Sequence, residues 1–167
     1  MVSARDTAAD GRAERLAKGV ADPELPMLTL GDLGIVRGVG RTSGGAVEVV
    51  VTPTYSGCPA MDAIRADIRG ALAAGGIPDA EVRTVLSPPW TTDWISADGR
   101  RKLAENGIAP PGPATARTGP VPVALSVRCP QCGSPDTRLL SRFGSTACKA
   151  LYVCGACREP FDHMKAL

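Results

Sequence analysis

Four cysteines near the end of the chain fall as two CxxC pairs, Cys129/Cys132 and Cys154/Cys157, with 21 residues between the pairs. Two residues between ligands let the backbone wrap one metal ion with both sulfurs. Two such knuckles complete a tetrahedral tetrathiolate, the donor set of structural zinc. Gly133 and Gly155 are expected to permit the tight turns this wrapping needs. A segment of about forty residues buries too little surface to fold alone, so the metal is expected to supply much of its folding energy. A single iron ion accepts the same cage and would make it an electron carrier, and sulfur ligation alone does not separate the two metals. Cys148, in the same unit, reads as an alternative ligand, a buried strand residue or a reactive thiol. His163, the sole histidine, is expected on the surface and outside the ligand set.

Cys58 stands apart, between Gly57 and Pro59, ahead of the most regular helical pattern in the chain. Pro59 suits the first helical position, which makes Cys58 the expected N-cap. Backbone N–H groups and the positive end of the helix dipole would there lower its pKa. A small residue packed in a tight corner is the plainer alternative. No catalytic residue is assigned. The histidine belongs to the other domain, so a Cys–His pair is poorly supported. No phosphate loop, dinucleotide loop or metalloprotease signature is present. One thiolate with the loop carboxylates Asp22, Glu24 and Asp32 fits transient binding of a soft metal or cluster, a dimer or a client completing the ligand set. For the three acids, a solvated loop surface is an equal alternative.

The elements that must position these groups can be read from periodicity. Residues 12–20 form the end of a first helix that begins near Ala8, with Ala13, Leu16 and Val20 on one side, and Pro23 terminates it. Residues 21–34 read as a rigid loop presenting Asp22, Glu24 and Asp32. Residues 35–39 and 46–52 are rich in β-branched side chains and pair as a hairpin turning at Gly44–Gly45. Met61, Ile64, Ile68 and Leu72 recur at spacings of three, four and four, the stripe of a helix from Ala60 to Ala73. A third strand follows at 80–86, and a short helix from about Thr92 to Asn106, interrupted or strained near Gly99. The proline-rich stretch 110–120 reads as a linker. Strands are expected at 121–127, 137–143 and 149–154. This order predicts an α+β fold, a small sheet with helices on one face followed by a β-rich ribbon. Its domains are 1–109, the linker 110–120, and the four-cysteine ribbon 121–167.

Composition narrows the function classes. The 19 basic and 17 acidic residues leave a net charge of +2, which sets up no global field for nucleic acid or lipid. Residues 1–120 carry 13 basic and 14 acidic groups, and 121–167 carry six and three. A basic face with interleaved aromatics, as nucleic-acid binding needs, is not evident. No apolar run is long enough to span a bilayer, and the N-terminus lacks the apolar core of a secretion signal. Cysteines used as CxxC pairs point to a reducing cytoplasm.

Three segments carry a resemblance. DPELP (22–26), DLGIV (32–36) and TPTYSGCPAM (52–61) resemble the metal–sulfur cluster assembly factor domain, the match running over about residues 12–86. With PPWTTDWISADGRRKLAENGIAPP (88–111) and the cysteine-rich terminus (129–165), the whole chain is similar to the D-subunit family encoded with bacterial phenylacetyl-coenzyme A epoxidase. The resemblance implies an accessory factor of aerobic phenylacetate degradation that assists iron–sulfur cluster or metal-centre maturation of that oxygenase. Its partners would be the reductase or di-iron oxygenase component. It also implies a role for Cys58 and for the acidic turn at Asp22 and Glu24. A non-catalytic docking subunit is the rival reading, and a thiolate-iron redox protein a weaker one.

Overall fold

The computed structural model describes residues 4–55, 57–112 and 127–166. It divides into two compact units, Met1–Trp90 and Thr91–Leu167.

In the first unit, α1 (Ala4–Lys18) precedes the hairpin strands β1 (Val36–Arg41) and β2 (Val47–Val51). Helix α2 (Met61–Ala74) then leads to β3 (Glu81–Thr84). The sheet order is β1-β2-β3, with β1 antiparallel and β3 parallel to β2. The hairpin turns as expected, Gly45 taking a φ of 84° and Thr42 N–H donating to the Ala46 carbonyl at 2.9 Å. Helix α2 buries Ile64, Ile68 and Leu72, three members of the expected stripe, whereas Met61 is only half-buried. Helix α1 starts earlier than expected and buries Ala13 and Ala17; Leu16 and Val20 are half-buried. Glycine at the end of α2 lets the two helices approach. A Cβ added at Gly75 would collide with Leu16.

The loop between α1 and β1 is part of the core. Leu25, Leu28, Leu30, Leu33 and Ile35 are each no more than 3% exposed. Asp22 and Asp32 are buried as well, at 7% and 8%, so the expectation that the loop presents them does not hold. Asp22 Oδ1 accepts from the N–H groups of Glu24 and Leu25, at 2.9 and 2.8 Å. Asp32 Oδ2 accepts from Thr29 N–H at 2.9 Å while Thr29 Oγ1 accepts from Asp32 N–H at 3.0 Å. Both carboxylates satisfy donors that the irregular backbone would otherwise bury unpaired. Glu24 is half-buried. Trp90 closes the unit, 5% exposed, its indole N–H donating to the Leu33 carbonyl at 2.8 Å.

The second unit opens with a single 3-10 turn at Thr92–Trp94, followed by α3 (Ala97–Glu105). The expected helix is thus split. Ser96 Oγ accepts from Gly99 N–H at 2.9 Å and caps α3, which begins at Ala97 and not at Thr92. Arg100 ties the segment together by donating to the carbonyls of Thr92 and Pro111, both at 2.7 Å. Next come β4 (Ile108–Ala109), β5 (Thr137–Ser141), β6 (Lys149–Cys154) and β7 (Pro160–Met164), in the sheet order β4-β7-β6-β5. Strands β5 and β6 match expectation. The short strands β4 and β7 do not appear in the periodicity, and the strand expected at 121–127 falls almost wholly outside the described residues.

The division differs from the expected one. Residues 91–109 group with the ribbon, because β4 pairs in parallel with β7, Ile108 opposite Asp162 and Ala109 opposite His163. The linker expected at 110–120 therefore begins within the second unit.

Candidate metal centre

Each knuckle is a short backbone loop closed on itself. In the first, Gly133 N–H donates to the Cys129 carbonyl at 2.9 Å and Cys129 N–H to the Ser134 carbonyl at 3.0 Å. The second repeats the pattern. Arg158 N–H donates to the Cys154 carbonyl at 3.0 Å, and Cys154 N–H to the Glu159 carbonyl at 3.0 Å. The residue after the second cysteine is left-handed in both, Gly133 at φ 74° and Arg158 at φ 65°. Gly155, expected to supply the second turn, has another reason to be glycine: a Cβ there would strike the Asp136 carboxylate.

A left-handed L-residue other than glycine costs about 1–2 kcal/mol, while glycine costs up to about 1 kcal/mol in unfolded-chain entropy. Replacing Arg158 with Gly is therefore expected to stabilise the ribbon by about 0.5–1 kcal/mol. Arg158→Ala, which keeps the strain, should not. Thermal melts of the two metal-loaded variants check this.

The knuckles bring together the four Sγ atoms of Cys129, Cys132, Cys154 and Cys157, all within 4.8 Å of one another. Cys129 Sγ lies 3.7 Å from Cys157 Sγ, and Cys132 Sγ 3.6 Å from Cys154 Sγ. Disulfide bonding would need about 2 Å. A zinc ion with Zn–S bonds of about 2.3 Å sets the edges of its sulfur tetrahedron at about 3.8 Å. The cage fits that ion. Electrostatics agree. The Cys157 N–H, 3.5 Å from Cys154 Sγ, pulls that thiol down to about 7. Cys157 is pushed up to about 12: the Glu159 N–H favours its thiolate, but burial and the neighbouring thiols outweigh it. Four thiolates this close require a cation among them. Cys129 and Cys154 are buried with Ala109 and Phe161 in one apolar cluster, so one ligand of each knuckle is part of the ribbon's core, while Cys132 and Cys157 are exposed.

The remaining candidates lie elsewhere. Cys148 is buried just before β6, its Sγ 3.0 Å from Thr146 Oγ1, and is not in the four-sulfur group. His163 is half-buried in β7, edge-on to the Tyr152 ring with centroids 5.4 Å apart. Burial lowers its pKa below the ordinary imidazole value. The unfolded chain therefore takes up the proton first. Its contribution to stability is complete above the ordinary imidazole range and is lost as pH falls through it towards the folded value. Acid also releases metal from thiolates, so the quantity to read is the difference between wild type and His163→Gln. Melts between about pH 5 and pH 8 should show a steeper acid loss in the wild type.

Cys58 is half-buried in the loop between β2 and α2. It is not the N-cap. Its N–H donates to the Tyr55 carbonyl at 3.2 Å and its carbonyl accepts from Met61 N–H at 3.3 Å, a turn that delays the helix so that Ala60 caps it. Among the described residues, Cys58 does not form a metal-ligand group with Asp22, Glu24 and Asp32. Sequence reasoning missed one feature here. Thr52, last before this loop, is 1% exposed, and neither its hydroxyl nor that of Thr84 has a partner among the described residues. Both sit at the carboxyl ends of the parallel strands β2 and β3. Threonine is so common in strands that neither stood out.

Comparison with known proteins also finds two parts in the chain, with residues 88–112 outside both matches. The family described as iron–sulfur cluster assembly protein matches residues 14–87, and that described as PaaD zinc beta ribbon domain matches residues 113–165. An Escherichia coli K12 protein assigned as the D subunit of 1,2-phenylacetyl-CoA epoxidase is 47% identical over 152 residues, 91% of this chain and 90% of that one. The Fe-S protein maturation auxiliary factor SufT of Staphylococcus aureus is 40% identical over 78 residues, 46% of this chain and 88% of its own. Among solved structures, the domain of unknown function DUF59 from Bacillus anthracis is similar at a TM-score of 0.53 and 26% identity, over 58% of this chain and 92% of that one. With nine-tenths of this chain and of the Escherichia coli protein aligned at 47% identity, this chain belongs to the PaaD family of phenylacetyl-CoA epoxidase D subunits, an iron–sulfur cluster assembly domain followed by a zinc ribbon.

Proposed function

We propose that the protein is an accessory factor, not an enzyme, that helps mature iron–sulfur or other metal centres. Its client is the multicomponent phenylacetyl-CoA epoxidase, through the reductase or the di-iron oxygenase component, in the cytoplasm. The observation that carries this is the joining of a cluster-assembly domain and a zinc ribbon in one chain, with a relative of the same extent assigned to that epoxidase. No helix among the described residues is long and apolar enough to cross a membrane.

The division of labour follows from the chemistry. Zinc, held by Cys129, Cys132, Cys154 and Cys157, would supply folding energy to the ribbon and leave no open coordination position. Cargo handling falls to Cys58, the one cysteine of the first unit. It is half-buried on an irregular loop, where a thiolate can reach a soft metal without being locked into the core. One thiolate cannot hold a cluster, so the client or a second copy completes the ligand set. Asp22 and Asp32 serve this site by fixing the loop, and Glu24 is the acid left to approach cargo.

Cys58→Ala is expected to stay folded and keep its zinc, because the thiol is neither in the core nor in the ribbon. Epoxidase made in a strain carrying only this variant should have iron content and activity reduced to the level of a strain lacking the gene. Normal iron and activity would remove the role of Cys58.

A further inference from the structure

Exposed apolar surface on the ribbon gathers at the end of the sheet away from the knuckles. Leu139, Leu140 and Phe143 are 43%, 46% and 68% exposed, within five residues on and just beyond β5. Scattered single apolar residues at a surface need no explanation, but a contiguous group does. Strand register puts Leu139 opposite Tyr152 and Ala150 opposite His163, all on one face of the sheet. With Arg142, Phe143 and Lys165 they line an open groove of about 350 Å³.

The charges in this groove have one sign. Lys165 Nζ sits 4.9 Å from the centroid of the Phe143 ring and donates to the Arg142 carbonyl at 3.4 Å. No carboxylate of the described residues lines it. Asp162 lies on the opposite face by strand alternation and is engaged by Lys149 and Ser145, at 3.4 and 3.0 Å. Along the groove runs β5, the outermost strand, whose outer edge is open to a further strand among the described residues.

We propose that this groove docks an extended acidic segment of a partner protein. An aromatic or branched aliphatic side chain enters between Phe143 and Tyr152, carboxylates meet Arg142 and Lys165, and the backbone follows the open edge of β5. Single-stranded nucleic acid also wants aromatics and cations, but it needs several cations along a track. Residues 127–166 hold six basic and three acidic groups, and one basic group, Lys149, is buried on Asp162. Four thiolates around a divalent ion offset most of what remains. The chain's own residues 113–126 contain Arg117 and no carboxylate, so their charge does not match the groove. The groove is separate from Cys58, and the proposal stands or falls independently of cluster handling.

The test uses the full metal-loaded chain, labelled with 15N. Four probes are titrated: a capped peptide of about eight residues alternating Glu with Leu and Phe, long enough to lie along β5; its Lys-for-Glu counterpart; its Ser-for-Leu/Phe counterpart; and an oligothymidylate. The acidic apolar peptide is expected to shift the amides of Leu139, Phe143, Tyr152 and His163 saturably, and to bind at least about tenfold more tightly than the others. Arg142→Glu and Phe143→Ser should each weaken it by about tenfold with zinc content unchanged, as for loss of one charge-assisted or apolar contact. Equal binding of the Lys peptide or the oligothymidylate, shifts centred elsewhere, or no saturable shift would overturn the proposal.

Discussion

Cys154→Ser is expected to abolish metal binding and unfold the ribbon. Cys154 is 1% exposed, shares the apolar cluster with Cys129, Ala109 and Phe161, and accepts the Cys157 N–H. Apparent binding free energies of about 10–16 kcal/mol for structural zinc equal or exceed the whole stability of a domain, about 5–15 kcal/mol. Losing the metal therefore removes more than the rest of the ribbon can replace. A neutral hydroxyl in a site built for thiolates restores little of it. In two-dimensional NMR spectra the amides of β5, β6 and β7 should collapse to random-coil positions, while those of α2 and β1–β3 keep their dispersion. Zinc per chain should fall from one to zero. A Ser variant that holds one zinc and a dispersed ribbon spectrum would show that the cage is not what holds the sheet together.

Trp90→Ala should be the most damaging single change in the first unit. The side chain is 5% exposed and lies 57 residues from the Leu33 carbonyl to which it donates. Removing a buried aromatic of this size costs about 3–5 kcal/mol, and the carbonyl left without its donor adds about 1 kcal/mol or more. Trp90→Phe separates the two, keeping most of the apolar contact and losing only the hydrogen bond, for a cost near the lower figure. Urea unfolding of the two variants, followed through the midpoint at constant slope, gives both numbers. Equal losses in Phe and Ala would mean that packing contributes little there.

What could be read from the residues was what local rules encode. The stripe Ile64, Ile68, Leu72 gave α2, Gly44–Gly45 gave the hairpin turn, and the CxxC spacing gave the four ligands. Each rests on neighbours within a turn or two. The misreadings all involve a partner distant in sequence or a backbone that departs from the common case. Asp22 and Asp32 look solvent-facing because acids usually are, yet buried backbone donors claim them. Arg158 takes a conformation that favours glycine, so composition pointed to Gly155 instead. Cys58 loses the capping position because the turn through Pro59 and Ala60 comes before the helix and not within it. Strand β7, PFDHM, carries no alternation strong enough to recognise, and β4 is only two residues long. These two strands exist because the ribbon offers them partners.

Strand β4 has a consequence for how the ribbon can be moved or excised. It pairs with β7 and contributes Ala109 to the cluster around Cys129 and Cys154, although Ala109 lies far from Cys129 in sequence. A fragment cut at residue 121, where the cysteine motif alone would suggest, leaves one flank of β7 without its partner and the ligand cluster without one wall. The motif can be copied into another protein as four cysteines; the fold cannot, unless the graft begins before Ile108. Ala109 and Val127 belong to the same unit, and the entropy of joining two such ends grows only with the logarithm of the number of residues between them. The junction that matters is the one just after Ala109, where a cut separates β4 from β7.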